Sequence, residues 1–133
     1  MDIAFRKEKT KHLYMNILSH AIANKQVAEI ISEGVIVSNV DDALDIIGNT
    51  GYQGFNDVII HKENLTNDFF DLKSKIAGEI LQKFTNYRMR VVIVGDFSSF
   101  NSKSLNDFIY ESNNGKQVNF LPTVAEALTV LSK

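Results

Sequence analysis

Apolar and polar positions alternate twice in quick succession near the start of the chain, in NILSHAIA from Asn16 and in QVAEII from Gln26. That period suits half-buried strands, and the polar pair Asn24-Lys25 between the runs predicts a hairpin. A third apolar run, VIVS, follows Gly34 and reads as another short strand. The period then changes. Val40, Ala43, Leu44 and Ile47 recur at the i, i+3, i+4, i+7 spacing of a helix with one buried face. Ser38 or Asn39 is placed to cap its start, Asp41 and Asp42 suit the positive end of its dipole, and Gly48 is expected to supply a left-handed exit.

After the turn-rich GNTGYQGFN, the short continuous run DVIIH reads as a strand covered on both faces. From Ile76 the apolar residues Ile76, Ala77, Ile80, Leu81 and Phe84 share one helical face, with Lys75, Glu79 and Lys83 opposite. RVVIVGD repeats the buried-strand pattern. SKSLNDFIYESNNG then predicts a helix with Leu105, Phe108 and Ile109 inward and Asn114-Gly115 as its stop. QVNFLP is a strand with Pro122 at its end, and Thr123 followed by Glu126 forms a capping box opening VAEALTVL. The sum is an α/β fold: a mixed, mostly parallel β-sheet with an N-terminal β-meander and about four α-helices, its parallel strands joined by crossovers.

Composition narrows the class. A chain of 133 residues, 44% hydrophobic and 23% charged, is sized for a single domain. No apolar run approaches the ~20 residues of a membrane-spanning helix. With no cysteine, disulfide frameworks, thiol nucleophiles and thiolate metal sites are excluded, and a soluble cytoplasmic protein is expected. The formal charge of −2 is uneven. Residues 1–14 set Arg6, Lys7, Lys9 and Lys11 against Asp2 and Glu8, a surplus of +2, so the remainder carries −4. Residues 1–14 therefore read as a basic extension, poorly ordered or helical, before a domain spanning 15–133. The negative remainder disfavours general nucleic-acid binding.

The run FFDLKSKIAGEILQKFTNYRMRVVIVGDFSSFNSKSLNDFIYESNNGK resembles the signature of a bacterial family, domain of unknown function 4180, over about residues 15–133. That family has no established activity. Members commonly carry Lys-Thr-Gly at Lys73-Ser74-Lys75, so here a hydroxyl is kept and a lysine replaces the glycine. The element order, with FFDLKSK at a helix start, is also similar to STAS domains, the anti-sigma-factor antagonist class. In those domains an aspartate precedes a phosphorylatable serine or threonine at the corresponding helix. VVIVGD followed by helix, strand and the helix bearing Glu126, Ala127 and Leu128 is similar to the SpoIIAA-like subgroup. The resemblance implies a regulatory module that acts mainly by binding, with Asp71 and Ser74 at the positions of interest. The Ser-Gly pair usual after the aspartate in that class is missing.

Two groups of residues compete as the site. Asp71 or a neighbour is placed to cap the helix at Ile76, and the same free N–H groups suit a phosphate on Ser74. Ser74, Gly78 and Thr85 form a strip of small residues beside the apolar face. Phe97 and Phe100, in the loop after Asp96, extend the possible contact surface. The rival lies at the C-terminal ends of the central strands, where open α/β sheets bind ligands. His61, Glu63 and Asp96 are expected to converge there as a small-molecule or metal pocket or an acid/base pair. No HxxxH spacing supports a metal site, and no cofactor is expected. His12 and His20 have no partner legible in the sequence. Gly95-Asp96 opens no GxGxxG or P-loop cradle, and the serines Ser98, Ser99, Ser102 and Ser104 form no G-x-S-x-G elbow. The residues favour a non-enzymatic module with a protein partner. Homodimerisation through the exposed edge strand of the meander is a further expectation.

Overall fold

In a computed structural model, which describes residues 15–133, the two alternating runs close as a hairpin. Strand β1 (Asn16–Ile22) pairs antiparallel with β2 (Lys25–Ile31), placing Ile22 opposite Lys25. Ala23 and Asn24 between them have φ of 48° and 68°. Two consecutive left-handed residues are what a type I′ turn needs, and its twist matches that of the flanking strands. The expected basic extension 1–14, with His12, lies outside the described residues.

From β2 the chain alternates: α1 (Val40–Tyr52), β3 (Asp57–His61), α2 (Ile76–Asn86), β4 (Arg90–Val94), α3 (Lys103–Asn113), β5 (Val118–Leu121) and α4 (Val124–Leu131). The five strands form one sheet in the order β1-β2-β3-β4-β5, parallel from β2 onward. The α/β class, the mostly parallel sheet and the four helices are as the sequence predicts. β1 forms one edge, with Leu18 50% exposed on it.

Alternate residues of each strand point to opposite faces. Ala28, Ile30, Val58, Ile60, Val91, Ile93 and Phe120 pack with Ala43 and Ile46 of α1, Ala77, Ile80 and Phe84 of α2, and Leu105 of α3. Val27, Ile59, Val92 and Val94 pack with Ala127 and Leu131 of α4. Helix starts follow the capping chemistry. Asn39 accepts from the Asp42 N–H at 2.9 Å, Ser102 from Leu105 at 3.1 Å and Thr123 from Glu126 at 3.1 Å.

Two expectations are corrected. VIVS is not a strand, because both sides of β2 are occupied by β1 and β3, and only an isolated bridge joins Val37 to Leu65. The buried Asn64 holds this segment instead. Its carbonyl accepts from Ile36 and Val37 at 2.9 and 3.0 Å, and its side-chain amide donates to the Ser32 and Gly34 carbonyls at 3.0 and 2.8 Å. Gly48 does not end α1, which continues to Tyr52; the left-handed turn falls at Gly54, with φ of 93°. Burial of Ile46, Ile47 and Thr50 outweighs the helix cost of the glycines, roughly 1 kcal/mol each.

α2 ends in a Schellman arrangement. The Met89 N–H bonds to the Phe84 carbonyl at 2.9 Å and the Arg88 N–H to the Thr85 carbonyl at 3.0 Å, with Arg88 left-handed at φ 58°. Glycine usually fills this position, since a side chain there costs about 1–2 kcal/mol.

Candidate functional site

Three short 3₁₀ turns, Lys62–Asn64, Asn67–Phe70 and Leu72–Ser74, carry the chain from β3 to α2. The middle one is anchored by Phe69 and Phe70, 1% and 6% exposed, which meet edge to face with centroids 5.0 Å apart. Such a ring pair adds about 0.5–1.5 kcal/mol beyond its burial. The polar residues then stitch the joint together. A carboxylate oxygen of Asp71 accepts from the Lys73 N–H at 3.1 Å. The Ser74 hydroxyl lies 2.6 and 2.8 Å from the Asp68 and Asp71 carbonyls to which it donates, and it accepts from the Ile76 N–H at 3.2 Å.

The division of labour differs from the expected one. Asp71 caps a 3₁₀ turn, while Ser74 takes the first helical N–H of α2. Lys75, at the N-cap position, makes no side-chain cap and is left-handed at φ 66°. Glycine is the residue that takes this backbone conformation at no steric cost. Lys75→Gly is expected to stabilise the fold by about 1 kcal/mol, measured as a raised urea midpoint; an unchanged or lowered midpoint would count against the strain. Along the expected strip of small residues, a Cβ on Gly78 would meet nothing within 4 Å, so no neighbouring element covers that point.

The loop after β4 folds back onto the joint. Phe100 stacks on Phe70 at 5.0 Å and 19°, while Phe97 lies 6.1 Å from Phe70 and 5.5 Å from Phe120. Both rings are half-buried. Lys62, which the sequence reading passed over, closes the same place. Its ammonium donates to the Asp96 carbonyl at 2.7 Å and sits 4.8 Å from the Phe100 ring centroid. Its stem runs so close to β4 that a Cβ on Gly95 would come within 2.5 Å of the Lys62 Cβ. Only glycine lets the two strand ends approach in this way. At the mouths of β3 and β4, where ligands commonly enter such sheets, the chain's own side chains therefore pack together.

His61, Glu63 and Asp96 form no common centre. Asp96 is exposed and turned toward Ser98, whose N–H and hydroxyl donate to it at 2.9 and 2.6 Å. The Ser98 side-chain bond, then its backbone bond, then the charge of Lys62 hold the Asp96 carboxyl below its ordinary range against slight desolvation. Glu63 is exposed. His61 turns instead to Glu29, its Nε2 2.7 Å from Oε2, and His20 Nε2 lies 2.8 Å from Oε1 of the same carboxylate. Glu29 is only 6% exposed. Burial pushes its carboxyl pKa up most strongly, but the His61 and His20 hydrogen bonds and the charges of both rings together hold it below its ordinary value. Each imidazole takes its own carboxylate oxygen, so the cluster ties edge strand β1 to β3 across β2. Among the described residues no group of three His, Cys, Asp or Glu side chains is arranged to hold a metal. The signal for this cluster was Glu29 itself, a single charge amid the apolar residues of QVAEII.

Clefts occur away from the mouths of β3 and β4; one of about 370 Å³ lies at the C-terminal end of β2, lined by Asn16, Ile31, Ser32 and Glu33. A groove of about 690 Å³ lies between α1 and the end of α2, lined by Gly48, Gly51, Tyr52, Phe55, Tyr87 and Met89. Others lie at the N-terminal ends of the strands. No described helix is long and apolar enough to cross a membrane. No curated protein and no solved structure matches the chain. Residues 22–131 match the model of a family described as Domain of unknown function (DUF4180), and the chain belongs to that family.

Proposed function

We propose that this domain is a non-enzymatic regulatory module that binds a protein partner through the surface shared by the Asp71–Ser74 joint and the Phe97–Phe100 loop. The observation that carries this reading is the filling of the strand mouths by Lys62, Phe70, Phe97 and Phe100. At β3 and β4, where an open α/β sheet commonly takes a ligand, packing among the described residues occupies the space, which favours the outer surface as the working part. Joint and loop meet at the Phe70 ring. Around them Asp68, Asp71, Lys73 and Lys75 are exposed, a mixed-charge rim over an aromatic base.

Ser74 is the natural trigger. Its hydroxyl proton is engaged by the Asp68 and Asp71 carbonyls. A phosphate there would remove that donor and add about −1.5 to −2 charges against the Asp68 and Asp71 backbone carbonyls, opening the joint or changing its partner. This agrees with the binding role that the resemblance to STAS and SpoIIAA-like domains implies. Affinity capture from native lysate with wild type, Ser74→Ala and Ser74→Asp tests the proposal. A protein retained by wild type and Ser74→Ala, but released by Ser74→Asp, is the expected result. Retention of a metabolite or metal with no protein would instead favour the rival small-molecule reading.

A further inference from the structure

At the opposite end of the strands, basic side chains gather. Lys25, Arg88 and Arg90 line a cleft of about 480 Å³ with Asn24, Gln26, Asn56 and Asp57. Arg90 is shared with an adjoining cleft of about 210 Å³ that Lys116 and Lys133 also line. Among the described residues the one carboxylate side chain lining either cleft is the buried Asp57, and Lys25 pairs with it at 3.2 Å. Among the described residues, which sum to −2 less the +2 of the first fourteen, that is −4, five cations thus gather around two hollows that share Arg90.

We propose that these clefts bind a small phosphate-bearing anion, with Arg88 and Arg90 as its principal contacts. Arg90 is prepared for this. Its Nε donates to the Lys116 carbonyl at 2.5 Å, which fixes the guanidinium plane and leaves its terminal nitrogens without a partner among the described residues. Arg88 is exposed, and its side chain likewise has no partner among the described residues. It also occupies the left-handed position after α2 where glycine is the easy choice. Among the described residues neither packing nor an ion pair accounts for an arginine there, and an external anion would. Guanidinium forks match phosphate oxygens two at a time, more selectively than an ammonium. The larger cleft has the volume of an ordinary small-molecule site, and a second hollow meeting it at Arg90 suits a ligand with two anionic groups.

The test is isothermal titration of the full chain with inorganic pyrophosphate in low-chloride buffer, and with tricarballylate as a carboxylate of comparable charge. Expected are one-to-one binding of pyrophosphate, preference over tricarballylate, and weakening by about tenfold or more in Arg88→Asn. Asparagine accepts the left-handed backbone, so this variant keeps the turn, which a thermal melt verifies. Lys103→Gln, whose wild-type side chain pairs with Asp107 on α3, should bind as wild type. Absence of pyrophosphate binding, equal binding of tricarballylate, or undiminished binding by Arg88→Asn would each overturn the assignment. This site is remote from the proposed docking surface, so its failure leaves that reading untouched.

Discussion

Phe69→Ala is expected to lower the unfolding free energy by about 3–5 kcal/mol, the usual cost of emptying a fully buried aromatic site. Phe69 is 1% exposed and touches Phe70 and Phe120, the second at 6.5 Å between ring centroids. Its removal leaves a cavity beneath the 3₁₀ turns and takes the support from Phe70, on which Phe100 stacks. With typical domain stabilities of about 5–15 kcal/mol, that loss is large enough to bring a marginal fold close to its midpoint. Phe100→Ala removes a half-buried ring from the same cluster and should cost less. Urea denaturation followed by far-ultraviolet dichroism measures both. A cost below about 1 kcal/mol for Phe69→Ala would mean that the turns are not anchored as described.

Glu29→Ala is expected to cost roughly 1–3 kcal/mol near neutral pH, because it strips both His20 and His61, each about a quarter exposed, of their shared and largely buried partner. The pH dependence gives this prediction a second handle. The Glu29 carboxyl lies below its ordinary value of 4.5 in the folded chain. Its contribution is therefore complete above the unfolded value and is lost as pH falls through the folded one. The gap between wild type and Glu29→Ala should accordingly be widest above about 4.5 and close on further acidification. A gap that widened in acid would reverse the sign and refute the assignment. Denaturant titrations at a series of pH values on both proteins provide the measurement.

The elements were legible where one physical signal dominated. The alternation in NILSHAIA and QVAEII, the i, i+3, i+4 spacing from Ile76 and the Thr123–Glu126 cap each have a local cause, and the structure uses each locally. The misreadings came from competition that only the assembled sheet decides. VIVS has strand composition but finds no open edge beside β2, and Gly48 is carried through α1 by the burial of its neighbours. The candidate sites show the same division. Asp71 and Ser74 bond within the turns they occupy, and Phe97 and Phe100 lie against Phe70, so each is close in sequence to the elements it joins. His61 was expected to turn toward Glu63 and Asp96. Its partner is Glu29, 32 positions earlier, brought alongside by the parallel pairing of β2 with β3. Lys62 escaped notice because an exposed-looking lysine after a strand gives no hint of the glycine it will cross.

That the domain works through its outer surface is tested most directly by hydrogen–deuterium exchange on the complex captured from lysate, compared with the free chain. New protection over residues 68–75 and 96–101, with little change around Glu29 and His61, is the expected footprint. Protection confined to other faces, or a complex whose only bound component is a small molecule held at the ends of β3 and β4, would contradict it.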